Sequence, residues 1–317
     1  MPRIETYLAA QVATRPDAHA ISDTIGADWT YADLERAVTA LMAELAQRGV
    51  GPGDRVLILS ENCAAKVAAL FACWRLRATA VPINARHTAP EITRVINHAE
   101  PKVVLATSQV SADAADHAKR LESERISGHF GELHLVPTDF TCEDGDPDLG
   151  VLLYTTGTTG DPKGVMLTHD NLNFGGRASV HLRSMTSADL IHGVLPTTHV
   201  FGLSSIVIAA FMAGARLRTV PRFDPAQTCA ALCDGVTLFS GVPQMHALIM
   251  AHARAEGLTT LGENSLRYVS SGAAPLDPIW KREAEAFYGV AIQNGYGMTE
   301  TTAGVCLLYT SPSPRDS

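Results

Sequence analysis

The sequence predicts an α/β fold of parallel-rich sheets with flanking helices, and three observations carry that reading. Short β-branched runs alternate with longer amphipathic segments along the whole chain, the pattern that lets helices cover both faces of a largely parallel sheet. Hydrophobic residues make up 46% and charged residues 18%, globular values that exclude wholesale disorder and low-complexity architecture. The 317 residues suffice for two lobes around a buried interior, at about 150 residues per domain.

The elements follow in order. Thr30-Tyr-Ala-Asp33 opens a helix that Gly49 closes, since glycine accepts the left-handed conformation after a last turn. Arg55 to Leu59 reads as a buried strand, Asn62 as the cap of a helix running to about Arg77, and Thr79 to Ile83 as the next strand. Thr88-Ala-Pro-Glu91 is a capping box with proline in the first turn, starting a helix that ends near His98, and Lys102 to Ala106 is a further strand. Residues 137–149 hold five acids, two prolines and a glycine without apolar periodicity, and so form a surface connection between a first lobe (1–149) and a second (150–306). In the second lobe, strands are expected at Val151–Tyr154, Ile191–Leu195, Arg216–Val220, Val236–Ser240, Arg267–Ser271 and Val290–Gln293. From Leu307 to Ser317 two prolines and no periodic pattern predict a disordered or non-native tail.

Composition narrows the function. A net charge of −8 leaves no cation excess to displace counterions, so a general nucleic-acid binder is excluded, while a small anion could still meet one local cationic site. The longest strongly apolar stretch, Ile206 to Ala215, is far shorter than the roughly 20 residues a transmembrane helix needs. The N-terminus lacks a charged-then-apolar leader. Six scattered cysteines fit reduced thiols in the cytoplasm, and Cys229 and Cys233, one helical turn apart, lack the second pair a metal site would need.

The most informative segment is Tyr154-Thr-Thr-Gly-Thr-Thr-Gly-Asp-Pro-Lys-Gly164, leaving a buried strand and entering a helix near Thr168 or His169. Gly157, Gly160 and Gly164 let the backbone turn tightly and approach a ligand. The hydroxyls of Thr155, Thr156, Thr158 and Thr159, with the intervening N–H groups, present donors to one concavity suited to a polyphosphate, and Lys163 adds a point charge. The common P-loop needs Gly-Lys-Ser/Thr running straight into its helix; here Pro162 precedes the lysine and Gly164 follows it. The plain alternative, an exposed Gly/Thr turn, does not account for so dense a pattern.

This segment resembles the phosphate-binding signature of the adenylate-forming superfamily, which includes acyl-CoA synthetases, peptide-synthetase adenylation domains and luciferase-type enzymes. Further segments resemble its motifs in the same order: Leu195-Pro-Thr-Thr-His-Val-Phe-Gly202 a proline–histidine segment beside the acyl pocket, Ser271-Gly-Ala-Ala-Pro-Leu276 the adenine-edge loop, and Asn294-Gly-Tyr-Gly-Met-Thr-Glu-Thr301 the aromatic-Gly-x-Thr-Glu signature. The resemblance runs from about residue 4 to about 305 and implies the large N-terminal domain of such an enzyme, in pseudo-repeated lobes and without the small C-terminal domain. It therefore implies a fragment that binds ATP weakly and turns over poorly.

Each motif has a physical role to match. Tyr296 lies between Gly295 and Gly297, which leaves its ring uncrowded and fit to stack on a purine, an interaction worth about 1–3 kcal/mol per base. Glu300 offers a hard oxygen to Mg²⁺, an ion usually held by one or two carboxylates plus substrate phosphates, with Thr155 as a second oxygen ligand. The small residues Gly272, Ala273 and Ala274 let a flat base lie against their backbone, and Asn294 offers an amide to its edge. By resemblance Thr299 reaches the α-phosphate and His199 lines the passage between acyl group and nucleotide, although a histidine beside Phe201 reads equally as a core residue. The implied reaction joins a carboxylic acid, fatty or aromatic to judge from Phe201, Leu238 and Val242, to AMP with release of pyrophosphate, and then to the thiol of coenzyme A. Other readings are a nucleotide-binding module without catalysis, an amino-acid-adenylating domain with Asp234 as its amine ligand, and a luciferase-like oxygenase.

Overall fold

The computed structural model describes residues 2–142, 145–155 and 163–308. The chain begins with α1 (Glu5–Thr14), the strands β1 (His19–Ser22) and β2 (Asp28–Thr30), and α2 (Tyr31–Gln47). Thr30 caps α2 through the expected box, accepting from Asp33 N–H while Asp33 accepts from Thr30 N–H. There follow β3 (Arg55–Ser60), α3 (Ala64–Arg75), β4 (Thr79–Asn84), α4 (Ala89–Ala99), β5 (Val103–Ala106), α5 (Ala112–Arg120), β6 (Glu124–Gly128) and β7 (Gly131–Pro137). The Thr88 capping box of α4 forms as expected. The cap expected at Asn62 does not. Cys63 is the N-cap of α3, and Asn62 instead accepts from Thr197 N–H at 3.0 Å and donates to the Leu195 carbonyl at 2.9 Å. Its amide serves a long-range tie, so the helix starts one residue later.

Next come β8 (Leu149–Thr155), β9 (Lys163–Thr168), α6 (His169–Leu182) and β10 (Leu190–Gly193). Residues 163–168 were expected to lead directly into the helix. They are an antiparallel strand paired with β8, so the glycine-threonine segment connects two strands, and Thr168 then caps α6. A helical stretch follows as α7 (Val200–Gly202), a π-helical turn (Leu203–Ile208) and α8 (Ala209–Ala213), then β11 (Arg216–Thr219), α9 (Pro225–Cys233), β12 (Leu238–Gly241), α10 (Pro243–Ala255), β13 (Tyr268–Gly272), α11 (Pro278–Tyr288), β14 (Ile292–Met298) and β15 (Ala303–Leu308). The last strand reaches Leu308, two residues into the segment expected to be tail, because it pairs with β14. Residues 309–317 lie outside the described residues.

Two mixed sheets result, one in the order β6-β7-β5-β3-β4-β8-β9 and one in the order β15-β14-β13-β12-β10-β11-β1-β2. Their centres are parallel and their edges antiparallel. The sheets do not divide at residues 149 and 150: β8 and β9 complete the first sheet, while β1 and β2 cross to the second. Helix α3 is apolar almost all round, and such a helix must be buried. It lies in a core that draws on both sheets, including Val56, Ile58, Leu217 and Leu238, with Phe71 edge-on to Phe211 at 5.2 Å and to Trp74 at 5.1 Å. No helix among the described residues is long and apolar enough to cross a membrane.

Candidate functional site

Strands β12, β13 and β14 run in the same direction, with Gly241 opposite Ser271 and Gly272 opposite Gly295; β12 and β13 end there, while β14 runs on to Met298. Ligands of open α/β sheets bind at this carboxyl edge. Beyond it Ala273 takes a left-handed φ of +66°, a conformation that costs a non-glycine residue on the order of 1–3 kcal/mol and turns the chain outward, leaving Ala273 and Ala274 exposed. The absence of a side chain at Gly272 is used: a Cβ there would stand 3.0 Å from the Phe201 ring.

Beneath this edge, Ser271 and Asn294 are cross-strand neighbours, and both Ser271 Oγ and Asn294 Oδ1 are buried without a hydrogen-bond partner among the described residues. An unsatisfied buried polar atom costs about 1–3 kcal/mol, so this pair fits a ligand that supplies hydrogen bonds, such as the edge of a purine. One layer further in the network is closed. Ser240 and Ser270 share a hydrogen bond of 2.8 Å, and His246 meets the Tyr288 hydroxyl at 3.0 Å and the Ser270 carbonyl at 3.2 Å. Burial pushes His246 down to about 4, so the ring is neutral at pH 7 and braces the strand.

From β14 the chain turns through Thr299–Thr301 into β15. Thr301 fastens that turn, its hydroxyl accepting from Met298 N–H at 3.1 Å and donating to the Met298 carbonyl at 3.0 Å. Tyr296 and Glu300 project outward, the tyrosine 52% exposed, and Glu300 makes no ion pair among the described residues. The left-handed φ values of Thr302 and Ala303, +55° and +82°, close the turn.

Helix α6 and β9 meet this turn from the other sheet. Gly175 approaches so closely that a Cβ would lie 2.7 Å from the Thr302 carbonyl oxygen, and β9 packs on Thr299–Thr301. Thr155 and Lys163 face each other at the open end of the β8–β9 pair. Thr156, Gly157, Thr158, Thr159 and Gly160 lie outside the described residues. Lys163 is exposed and, among the described residues, has no acidic partner. The hairpin end and the acidic turn are therefore neighbours, and the turn continues the strand that carries Gly295.

His199 precedes α7 on the segment that Asn62 ties down. Its residue is open to solvent while its ring is partly enclosed by protein; that desolvation, with Lys66 and His87 nearby, holds its pKa below the ordinary histidine value. Lys66 is itself anomalous, 1% exposed with no partner for its amine among the described residues, and burial pulls it down to about 7.

Four contributors escaped the sequence reading: Phe201 as the wall of Gly272, Thr301 as the fastener, Gly175 as the contact between sheets, and the His246 brace. A Gly-Gly pair inside α6 was the one visible signal. Among the described residues no group of three His, Cys, Asp or Glu could hold a metal alone. The exposed Glu300 carboxylate and the Thr155 hydroxyl do suit a Mg²⁺ whose remaining ligands are phosphate and water.

A family model described as "AMP-binding enzyme" matches residues 8–317. The feruloyl-CoA synthase of Amycolatopsis sp is 33% identical over 288 residues, covering 89% of this chain and 57% of that protein. Among solved structures, apo MatB from Rhodopseudomonas palustris superposes with a TM-score of 0.79 at 28% identity over 98% of this chain and 62% of that one. The o-succinylbenzoate CoA synthetase of Bacillus subtilis, in complex with the acyl-adenylate intermediate OSB-AMP, gives 0.76 at 25% identity, covering 96% and 60%. The chain thus spans little more than half the length of the curated relative it matches.

Proposed function

Because the chain belongs to the AMP-binding enzyme family, we propose that it activates a small carboxylic acid with ATP, forming an acyl-adenylate and pyrophosphate, and passes the acyl group to the thiol of coenzyme A. The observation that supports this reading is the contact of β9, which begins at Lys163, with the Thr299–Thr301 turn, which continues the strand pairing Gly295 with Gly272.

The chemistry follows from charge. A carboxylate and a triphosphate repel each other by several kcal/mol at low effective dielectric, so their approach needs cations. Lys163 supplies one, and Mg²⁺, held by Glu300 and Thr155, would supply the other and stabilise the departing pyrophosphate. The adenine would lie on Gly272, Ala273 and Ala274 with Tyr296 stacked on it, the Gly295 and Gly297 backbone alongside and Asn294 at its edge. Thr299 would orient the α-phosphate so that the carboxylate oxygen attacks in line. His199 would line the path by which the acid enters, and its lowered pKa keeps it neutral there. Rate then comes from positioning and charge stabilisation. Leu238, expected to line the acyl site, is instead buried in the core at the start of β12; Phe201 and Val242 remain to favour a fatty or aromatic acid, and free cysteines suit a cytoplasmic setting.

The test is pyrophosphate exchange into ATP by this chain across a panel of carboxylic acids, with coenzyme A thioester formation as the second readout. Acid-dependent exchange is expected. ATP binding without exchange under any acid would identify this chain as a nucleotide-binding module.

A further inference from the structure

Arg183 closes α6 and is 7% exposed, yet among the described residues it forms no ion pair. Its guanidinium donates to the Ser205 carbonyl in the π-helical turn and lies between two rings, 6.0 Å from the centre of Phe201 and 5.7 Å from that of Tyr268. Two ring faces and one carbonyl offset only part of the cost of burying a cation. A lysine could respond by losing its proton; arginine does not near neutral pH, even though burial lowers its pKa here. The nearest acid on the following loop is not free. Asp189 is held by Arg267 at 2.6 and 2.8 Å and also accepts from Thr237 and Thr186.

Phe201 ties this cation to the Gly272 edge. One edge of the ring occupies the space beside Gly272, and the ring also neighbours Arg183. Tyr268, the second neighbour, begins the strand that ends at Gly272. The positive charge thus lies behind Phe201, on the segment that would line the path of the acid, beside the Ser205 carbonyl and the Tyr268 ring.

We propose that Arg183 is the counter-ion for a second carboxylate at the far end of the acid, so that the substrate is a dicarboxylic acid with an apolar body. The proposal rests on the acid-activation reading and narrows its substrate class. The substrate's charge would complete the guanidinium's partners, and a monocarboxylate of equal length would leave them incomplete.

The experiment compares matched acids, adipate against hexanoate and terephthalate against benzoate, by pyrophosphate exchange in this chain and its Arg183→Met and Arg183→Lys variants. The wild type is expected to favour a dicarboxylate at least tenfold in kcat/KM. Arg183→Met should abolish or invert that preference through the KM of the acid while leaving the KM of ATP unchanged, and Arg183→Lys should restore part of it. Preference for the monocarboxylates in the wild type, unmoved by Arg183→Met, would overturn the assignment. Should no acid support exchange, the ligase reading of this chain fails separately, and thermal shift with adipate still decides. Stabilisation of the wild type and the lysine variant but not of the folded methionine variant supports the site, and equal or absent shifts in all three refute it.

Discussion

Gly297 lies so close to Ala303 that a Cβ at residue 297 would stand 1.6 Å from the Ala303 carbonyl oxygen. This contact closes the hairpin between β14 and β15, and the Thr299–Glu300 turn is its tip. A side chain at 297 cannot be absorbed by a rotamer change, because the obstacle is backbone.

Gly297→Ala should therefore open the hairpin end and displace Glu300. Overpacking of this kind costs about 1–3 kcal/mol, so the variant should stay folded with a lowered Tm and lose most of its acid-dependent pyrophosphate exchange. Wild-type exchange in a destabilised Gly297→Ala protein would detach the turn from the chemistry.

Glu300→Gln keeps the size and removes the charge. The turn is held by Thr301 and by backbone, so folding should be unaffected. The Mg²⁺ concentration for half-maximal ATP binding, measured calorimetrically, should rise at least tenfold. An unchanged Mg²⁺ requirement would remove Glu300 from the metal site.

Tyr296→Ala tests the purine platform. The ring is half exposed and contributes little to the core, and the loss of a stacking surface worth about 1–3 kcal/mol should raise the KM of ATP by roughly 5- to 150-fold. The KM of the acid should move far less. Equal changes in both would mean that Tyr296 shapes the hairpin and does not carry the nucleotide.

The legible parts of the fold are those with local causes. The Thr30 and Thr88 capping boxes act within four residues, and the central strands are buried on both faces, so both show in the sequence. The edge strands β2 and β6, and β7 beside the latter, are short or half exposed and carry no continuous apolar run. Lys163–Thr168 could not be told from a loop because its pattern of exposure depends on pairing with β8. Asn62 misled for a related reason: its sequence context is that of a cap, while its amide is engaged 135 residues away. The site motifs were visible as glycine and hydroxyl patterns, but the elements that hold them in place, Phe201 and Thr301 among them, act through contacts that exist only in three dimensions.

Lys66 permits a prediction whose sign can be worked out. Its amine is buried without a partner among the described residues and its pKa is pulled from 10.5 to about 7, so the unfolded chain holds a proton that the folded one releases between those values. Stability must therefore rise with pH across that window, because the state binding fewer protons gains as protons become scarce. From pH 7 to pH 9 the contribution is about 2–3 kcal/mol, at 1.36 kcal/mol per pKa unit. Lys66→Met fills the same space without the amine. It should be more stable than the wild type at pH 7, and its urea midpoint should be nearly flat to pH 9 where the wild type's climbs. Parallel midpoint curves for the two proteins would show that the amine has a partner in solution and that its burial carries no such penalty.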